Sequence, residues 1–226
     1  MPRKQSRGTC IFCGRQMTNG GLTRHFLSCS KYEEAVGSAN KKTGKNQTIY
    51  HLQIRDAWQK DFWLHGEMRS SARLGDLDDY LRGIWLECCG HLSQFSIGGW
   101  RGNEIPMDIS VKQVFKKGME LTHIYDFGTS SETLIKVVGE RDGKPLTKRP
   151  IFLMARNELP EVSCVECEQT ASWLCIECLN EYDRPGFLCD QHVEDHPHDD
   201  YGEPIPLVNS PRVGMCGYDG PAEPPY

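Results

Sequence analysis

The run CVECEQTASWLCIECLNEYDRPGFLCDQHVEDHPH, residues 164–198, constrains this chain more than any other stretch. It holds five cysteines and three histidines, with few apolar residues between them. A segment this short buries too little surface to fold without a staple. The donors follow the pattern Cys164-x2-Cys167-x7-Cys175-x2-Cys178-x10-Cys189-x2-His192-x3-His196-x1-His198. Sulfur and imidazole nitrogen in multiples of four suit tetrahedral zinc. Two knuckles seven residues apart leave little room for one ion to take both, so the donors are expected to interleave. Cys164, Cys167, Cys189 and His192 form one set, and Cys175, Cys178, His196 and His198 the other. Trp173, Leu174, Phe187 and Leu188 are the expected small core. Four protein donors per ion leave no open position, so these zincs are expected to be structural. One alternative is a single zinc, with His196 and His198 as a solvated patch and Asp195 or Asp199 completing the coordination. A redox reading, with the C-x-x-C pairs as dithiols, leaves three histidines without a role.

Cysteine placement supports metal. Of eleven cysteines, three precede residue 30, six follow residue 163, and only Cys88 and Cys89 lie between. No apolar run nears the roughly 18 residues of a membrane span. The opening MPRKQSRGTC has charge with no apolar segment behind it, so no secretory leader is expected. A cytoplasmic location follows as the expectation, and in a reducing compartment clustered cysteines read as ligands before disulfides.

The first group, within residues 8–33, reads Cys10-x2-Cys13-x11-His25-x3-Cys29. Cys10 and Cys13 supply a knuckle. His25 and Cys29, four apart, are expected on one helix face. Met17 and Leu22 are the expected apolar contacts, and Gly20 and Gly21 suit the turn into the helix. The pattern resembles a Cys-Cys-His-Cys zinc finger, with a span one residue shorter than the usual of about twelve. A third structural zinc is expected here, against the alternative of free cysteines in a basic disordered head.

Residues 34–48, polar and rich in Lys, Gly and Asn, read as a flexible linker. Residues 49–157 carry the periodicities of a packed domain. TIYHLQIRD and DFWLHGEM read as strands with a turn near residues 57–60. LGDLDDYLRGIWLECCGHL reads as the best helix, with Leu77, Leu81, Ile84, Trp85, Cys88 and Leu92 on one face. Cys88 is then a buried structural thiol. QFSI reads as a strand, SVKQVFKKG as a short helix ended by Gly118, MELTHIYDFG and ETLIKVVGER as a hairpin, and RPIFLMAR as a last strand. The expected fold class is α+β, a largely antiparallel sheet with helices, flanked by two small zinc-stabilised modules.

HIYDFGTSSETLIKVV, residues 123–138, resembles the signature strand-turn-strand of the Ri-plasmid ORF-three-like family, also met as a passenger domain of transposable elements. LDDYLRGIWLECCGHLSQFSIGG, residues 77–99, stands where that family has its helix. The resemblance implies an α+β fold over residues 49–157 and a link to mobile elements, and it implies no agreed reaction. Thr129, Ser131 and Thr133 replace the Asp, Trp and His that follow the glycine in many members. The interleaved pattern of residues 158–200 resembles the B-box, with a longer gap between the fourth and fifth donors.

Charge is uneven. Residues 1–48 carry nine Lys/Arg against two acids, whereas residues 158–226 carry two Arg against fifteen acids. A basic head suits nucleic acid and an acidic end is repelled by it. The leading expectation is a zinc-binding, non-catalytic interaction or adaptor protein with a protein partner met chiefly at the acidic end, and with no membrane association. The alternatives are a nucleic-acid-binding accessory factor using the basic finger, and a hydrolase or nuclease gathering at least two of His65, His123, Asp126 and Glu132. No catalytic motif is present. The Pro/Gly-rich tail, residues 201–226, carries Ile205, Leu207, Val208, Val213 and Met215 and is expected to dock in extended form. Cys216 has no partner visible in the sequence.

Overall fold

A computed structural model describes residues 5–182, 184–198 and 200–225 of the chain. Its centre is a nine-stranded sheet of antiparallel pairs. The strands are β1 (Arg7–Cys10), β2 (Gln16–Thr18), β3 (Gln47–Asp56), β4 (Trp63–Arg69), β5 (Ser93–Ile97), β6 (Asn103–Ile105), β7 (Glu120–Tyr125), β8 (Ser131–Gly143) and β9 (Ile151–Asn157). Their order is β2-β1-β9-β4-β3-β8-β7-β5-β6. The helices are α1 (Asn19–His25), α2 (Ser30–Asn40), α3 (Leu74–Leu81), α4 (Val111–Val114), α5 (Ile176–Glu181) and α6 (Asp190–Val193). A second sheet of β10 (Trp173–Leu174), β11 (Phe187–Leu188) and β12 (Ile205–Pro206) has β10 in its middle. The fold is therefore mixed α+β.

Alternation on β3 sends Tyr50, Leu52 and Ile54 to one face, where they meet Leu64 and Met68 of β4 and Ile135 and Val137 of β8. Leu74, Leu77 and Leu81 of α3 cover that face. The opposite face carries His51, Gln53, His65 and Glu67, which alternation alone would leave to water. It is not left to water, because the N-terminal module lies on it. Phe26 packs its ring edge-on to His51, Tyr32 donates its hydroxyl hydrogen to Glu67, and Asn19 takes hydrogen bonds from Gln53 and His65. Strand β4 is consequently buried along nearly all its length.

The N-terminal module is also joined edge to edge. Strand β1 pairs with β9, in the register Gly8↔Asn157. A Cβ on Gly8 would stand 2.1 Å from the Arg156 carbonyl oxygen and 2.5 Å from the Trp63 ring. Only glycine permits that approach.

Several expectations change. Much of the segment read as a flexible linker is helix, since α2 runs to Asn40. Buried Ala39 anchors it, and the Asn40 side chain accepts from the Lys144 backbone N–H at 2.9 Å. Helix α3 ends early, through a π-type turn at Arg82–Leu86, and the backbone is extended at Glu87. Arg82 causes this break by donating to the His91 carbonyl at 2.6 Å and to Ser93 Oγ at 2.9 Å. Cys88, Cys89 and His91 are thus loop residues, and Leu92 is 74% exposed. Helix α4 stops at Val114, ahead of Gly118. Asp126, at φ 66°, turns the chain so that Tyr125 is buried and Phe127 exposed, whereas strand alternation would put both on one face.

The tail docks. Strand β12 pairs with β10, and beyond it Asn209 exchanges hydrogen bonds with Asn157. Ser210 donates to the Trp85 carbonyl at 2.6 Å, and Arg212 is fully buried.

Candidate metal centres

Cys10 closes β1, and its carbonyl accepts from the Gly14 N–H at 2.8 Å to form the knuckle that presents Cys13. Thr18 caps α1 by accepting from the Gly21 N–H at 3.3 Å. Helix α1 then delivers His25 from its last turn, with Nε2 3.2 Å from Cys13 Sγ. Cys29 does not share that helix. The chain turns after His25, and Cys29 sits at the N-cap position of α2, where a helix dipole favours a thiolate. Leu22 and Phe26 are buried beneath the group and Met17 is half-buried. Burial pushes the metal-free Cys10 thiol up to about 11.

In the C-terminal module a short hairpin determines how donors combine. Strands β10 and β11 pair as Trp173↔Leu188 and Leu174↔Phe187. Cys175 follows β10 and Cys189 follows β11, so antiparallel pairing sends them to opposite ends. Cys175 stands at the N-cap of α5, its sulfur accepting from the Cys178 N–H at 3.3 Å. Cys189 is the N-cap of α6, which carries His192. The Cys164–Cys167 knuckle is held at the Cys189 end, where the Val165 N–H donates to the Phe187 carbonyl at 2.8 Å.

Two four-donor groups result. In one, Cys164 Sγ is 3.6 Å and Cys189 Sγ 3.3 Å from His192 Nδ1, and Cys167 Sγ is 3.8 Å from Cys189 Sγ. In the other, Cys178 Sγ is 3.4 Å from His196 Nε2 and 3.1 Å from His198 Nδ1, with Cys175 Sγ 3.8 Å from the latter. Tetrahedral zinc at ordinary bond lengths separates its donors by about 3.3–3.8 Å. Each of the three groups keeps all four donor atoms within 4.8 Å of one another. The residues therefore fit zinc in type, number and spacing. Desolvation would raise the Cys164 thiol, but backbone N–H groups of Glu166, Cys189 and Cys167 outweigh it and lower the thiol to about 6. Asp195 is exposed, and Asp199 lies outside the described residues. Leu174 and Leu188 are the buried core, with Trp173 and Phe187 half-buried beside them.

Most of the polar residues considered for catalysis are already engaged by other side chains. His65 bonds Asn19, and His51 Nε2 lies 2.9 Å from His65 Nδ1. Burial lowers these imidazoles to about 3 and about 4. Glu67 is held bidentately by Arg141 at 2.7 Å. His123 Nε2 lies 2.7 Å from Asp78, and Asp126 is paired with Arg212 at 2.7 Å. His65, His123 and Asp126 each find a partner outside the proposed catalytic set. A fourth sulfur-rich group, Cys88, Cys89, His91 and Cys216, comes together between the central domain and the tail. Sequence patterning misses it because Cys216 lies far along the chain and Cys88 reads as helical core.

No family model matches the chain. No curated protein matches it either. Among solved structures it is similar to a protein of unknown function from Methanosarcina mazei Go1, at 15% identity and a TM-score of 0.40. That alignment covers 46% of this chain and 66% of the other. Among the described residues, no helix is long and apolar enough to cross a membrane.

Proposed function

We propose that this chain is a zinc-binding interaction protein in which three structural zincs shape the surfaces that meet a protein partner. The observation that carries this reading is the closure of the three groups. Each offers four S/N donors, and four protein donors complete a tetrahedral ion with no position left for substrate or water. The C-terminal module displays exposed Glu166, Glu168, Glu181, Glu194 and Asp195, and also exposed Val165, Leu179 and Tyr182. Exposed acids and exposed apolar side chains on one small module suit a basic protein segment. The central domain is read as the plasmid ORF-three-like type on the motifs quoted above, which leaves a role beside mobile elements as part of the proposal.

Native mass spectrometry with metal analysis tests the metal basis. At least three zincs per chain support it, each lost separately in Cys10→Ser, Cys164→Ser and Cys175→Ser. Fewer than three zincs in the wild type would remove it. Cross-links to a partner concentrated on residues 164–201, and lost on reversing Glu166, Glu168 and Glu181 to Lys, would support the interaction role. Cross-links unaffected by that reversal would reject it.

A nucleic-acid reading has one favourable observation, a cleft of about 620 Å³ whose lining includes Arg24, Arg55 and Lys60. It has one against it. Finger helices that read DNA project into the major groove, whereas α1 is tied to the sheet through Asn19, Gln53 and His65. A salt-dependent mobility shift lost in Arg24→Ala with Arg55→Ala would favour contact through the cleft. No binding at low salt would end it.

A further inference from the structure

Cys88, Cys89 and His91 occupy the loop that Arg82 forces open after α3, and Cys216 arrives from the 3-10 turn Met215–Gly217 in the tail. The three sulfurs and one imidazole nitrogen lie within 4.8 Å of one another. Cys88 Sγ is 3.6 Å from Cys89 Sγ, and Cys89 Sγ is 2.9 Å from His91 Nε2. We propose that these four side chains form a further metal site, for a thiophilic divalent cation of the zinc class, and that this ion fastens the tail to the central domain.

Three observations beyond the donor set support the proposal. The first is charge. A divalent cation with three thiolates and a neutral imidazole carries one net negative charge. Arg212, fully buried, places Nη2 3.4 Å from Cys88 Sγ and 3.6 Å from Cys216 Sγ. Its other hydrogen bonds go to Asp126, Thr129 and Ser131. The guanidinium is shared with Asp126, so it offsets only part of that charge, and it donates toward two of the sulfurs and orients them, as hydrogen-bonding groups around metal ligands do. The second is backbone. Cys216 adopts φ 50°, ψ 33° between Gly214 and Gly217, both also at positive φ. The left-handed region is uncommon for residues other than glycine, and here it turns the Cys216 thiol toward the loop. The third is that the neighbouring groups already hold the loop. Glu87 accepts from the Gly90 N–H at 2.6 Å and from the Tyr125 hydroxyl at 3.0 Å, so the Cys88–His91 arc is braced without the ion.

This site differs in kind from the other three. Cys89 and Cys216 are exposed, and Cys88 and His91 are half-buried. Asp126 Oδ2 stands at its rim, 3.4 Å from His91 Nε2 and 3.9 Å from Cys216 Sγ. A solvent-reached ion exchanges and is chelated more readily than one walled in by protein.

The experiment uses the full reduced chain. Zinc is counted by native mass spectrometry in the wild type and in Cys216→Ser, and alkylation of each cysteine is mapped by peptide mass spectrometry with zinc present and after a mild chelator. The expected result is one zinc fewer in Cys216→Ser than in the wild type. In the wild type, Cys89 and Cys216 are shielded from alkylation despite their exposure, and both become reactive together on chelation before the buried cysteines do. Equal zinc counts in the two proteins, or Cys89 and Cys216 alkylating at free-thiol rates with zinc present, would overturn the proposal. The alkylation arm needs no variant, so it decides even if Cys216→Ser folds poorly. Failure here leaves the other three sites untouched, since those are read by Cys10→Ser, Cys164→Ser and Cys175→Ser.

Discussion

Arg212 Nη2 lies 2.7 Å from Asp126 Oδ2, and both residues are buried, at 0% and 4% exposure. The pair joins the tail to the turn that follows β7. Removing one partner of a buried pair leaves an uncompensated charge, which costs more than the pair contributes. Arg212→Ala is therefore expected to destabilise the chain by roughly 3 kcal/mol and to release residues 209–225 to hydrogen exchange. A denaturant midpoint unchanged from wild type would show that the tail is held by other contacts.

The junction of finger and sheet rests on Gly8. Gly8→Ala would press a methyl group into the Arg156 carbonyl and the Trp63 ring. The expected cost is about 1–3 kcal/mol, the range for overpacking, with faster exchange of β9 amides. Wild-type exchange on β9 would refute the edge pairing.

Acid sensitivity follows from the His51–His65 pair. In the unfolded chain both imidazoles titrate at 6.5, whereas burial lowers them to about 4 and about 3 in the fold. The unfolded state thus binds more protons between those values. Stability from this source is fully present above 6.5 and is lost as pH falls toward 4. Two such protons give a slope of up to roughly 2.7 kcal/mol per pH unit. Urea unfolding of the wild type and of His51→Gln with His65→Gln, compared at matched zinc content from pH 7 to pH 5, isolates the effect from metal loss. Parallel curves would rule it out.

Chelation should act unequally. The C-terminal module has a core of little more than Leu188, the buried ligands Cys175 and Cys178, and buried Leu174, so metal removal is expected to unfold it. The central domain, with Trp85, Phe95 and Leu52 buried on a wide sheet, is expected to persist. Hydrogen exchange after chelation should collapse on β10 and β11 and survive on β3 and β8. Uniform loss across both would contradict this division.

Much of the architecture is legible along the chain. Alternation locates β3, β7 and β8, because one face of each meets the core. It misjudges the other face, since His51, His65 and Glu67 look solvated until Phe26, Tyr32 and Arg141 cover them. The linker reading fails for a related reason. Composition reports low apolar content, but Ala39 is buried by the folded chain and Asn40 gains its contacts from Lys144, just beyond β8. Helix α3 is read too long because apolar spacing continues past Leu86, while Arg82 diverts the backbone through bonds to His91 and Ser93.

The local spacing of Cys10 and Cys13, of Cys164 and Cys167, and of Cys189 and His192 determined which donors can meet, because a knuckle or a single helical turn is set by its own few residues. The antiparallel pairing of β10 with β11, seen in the structure, is what separates Cys175 from Cys189. Only the tertiary structure decided that Cys216 meets Cys88, Cys89 and His91, and that Arg212 is buried against Asp126. Those contacts depend on where the tail comes to rest, which is governed by packing across the whole sheet and leaves no periodic trace in the chain.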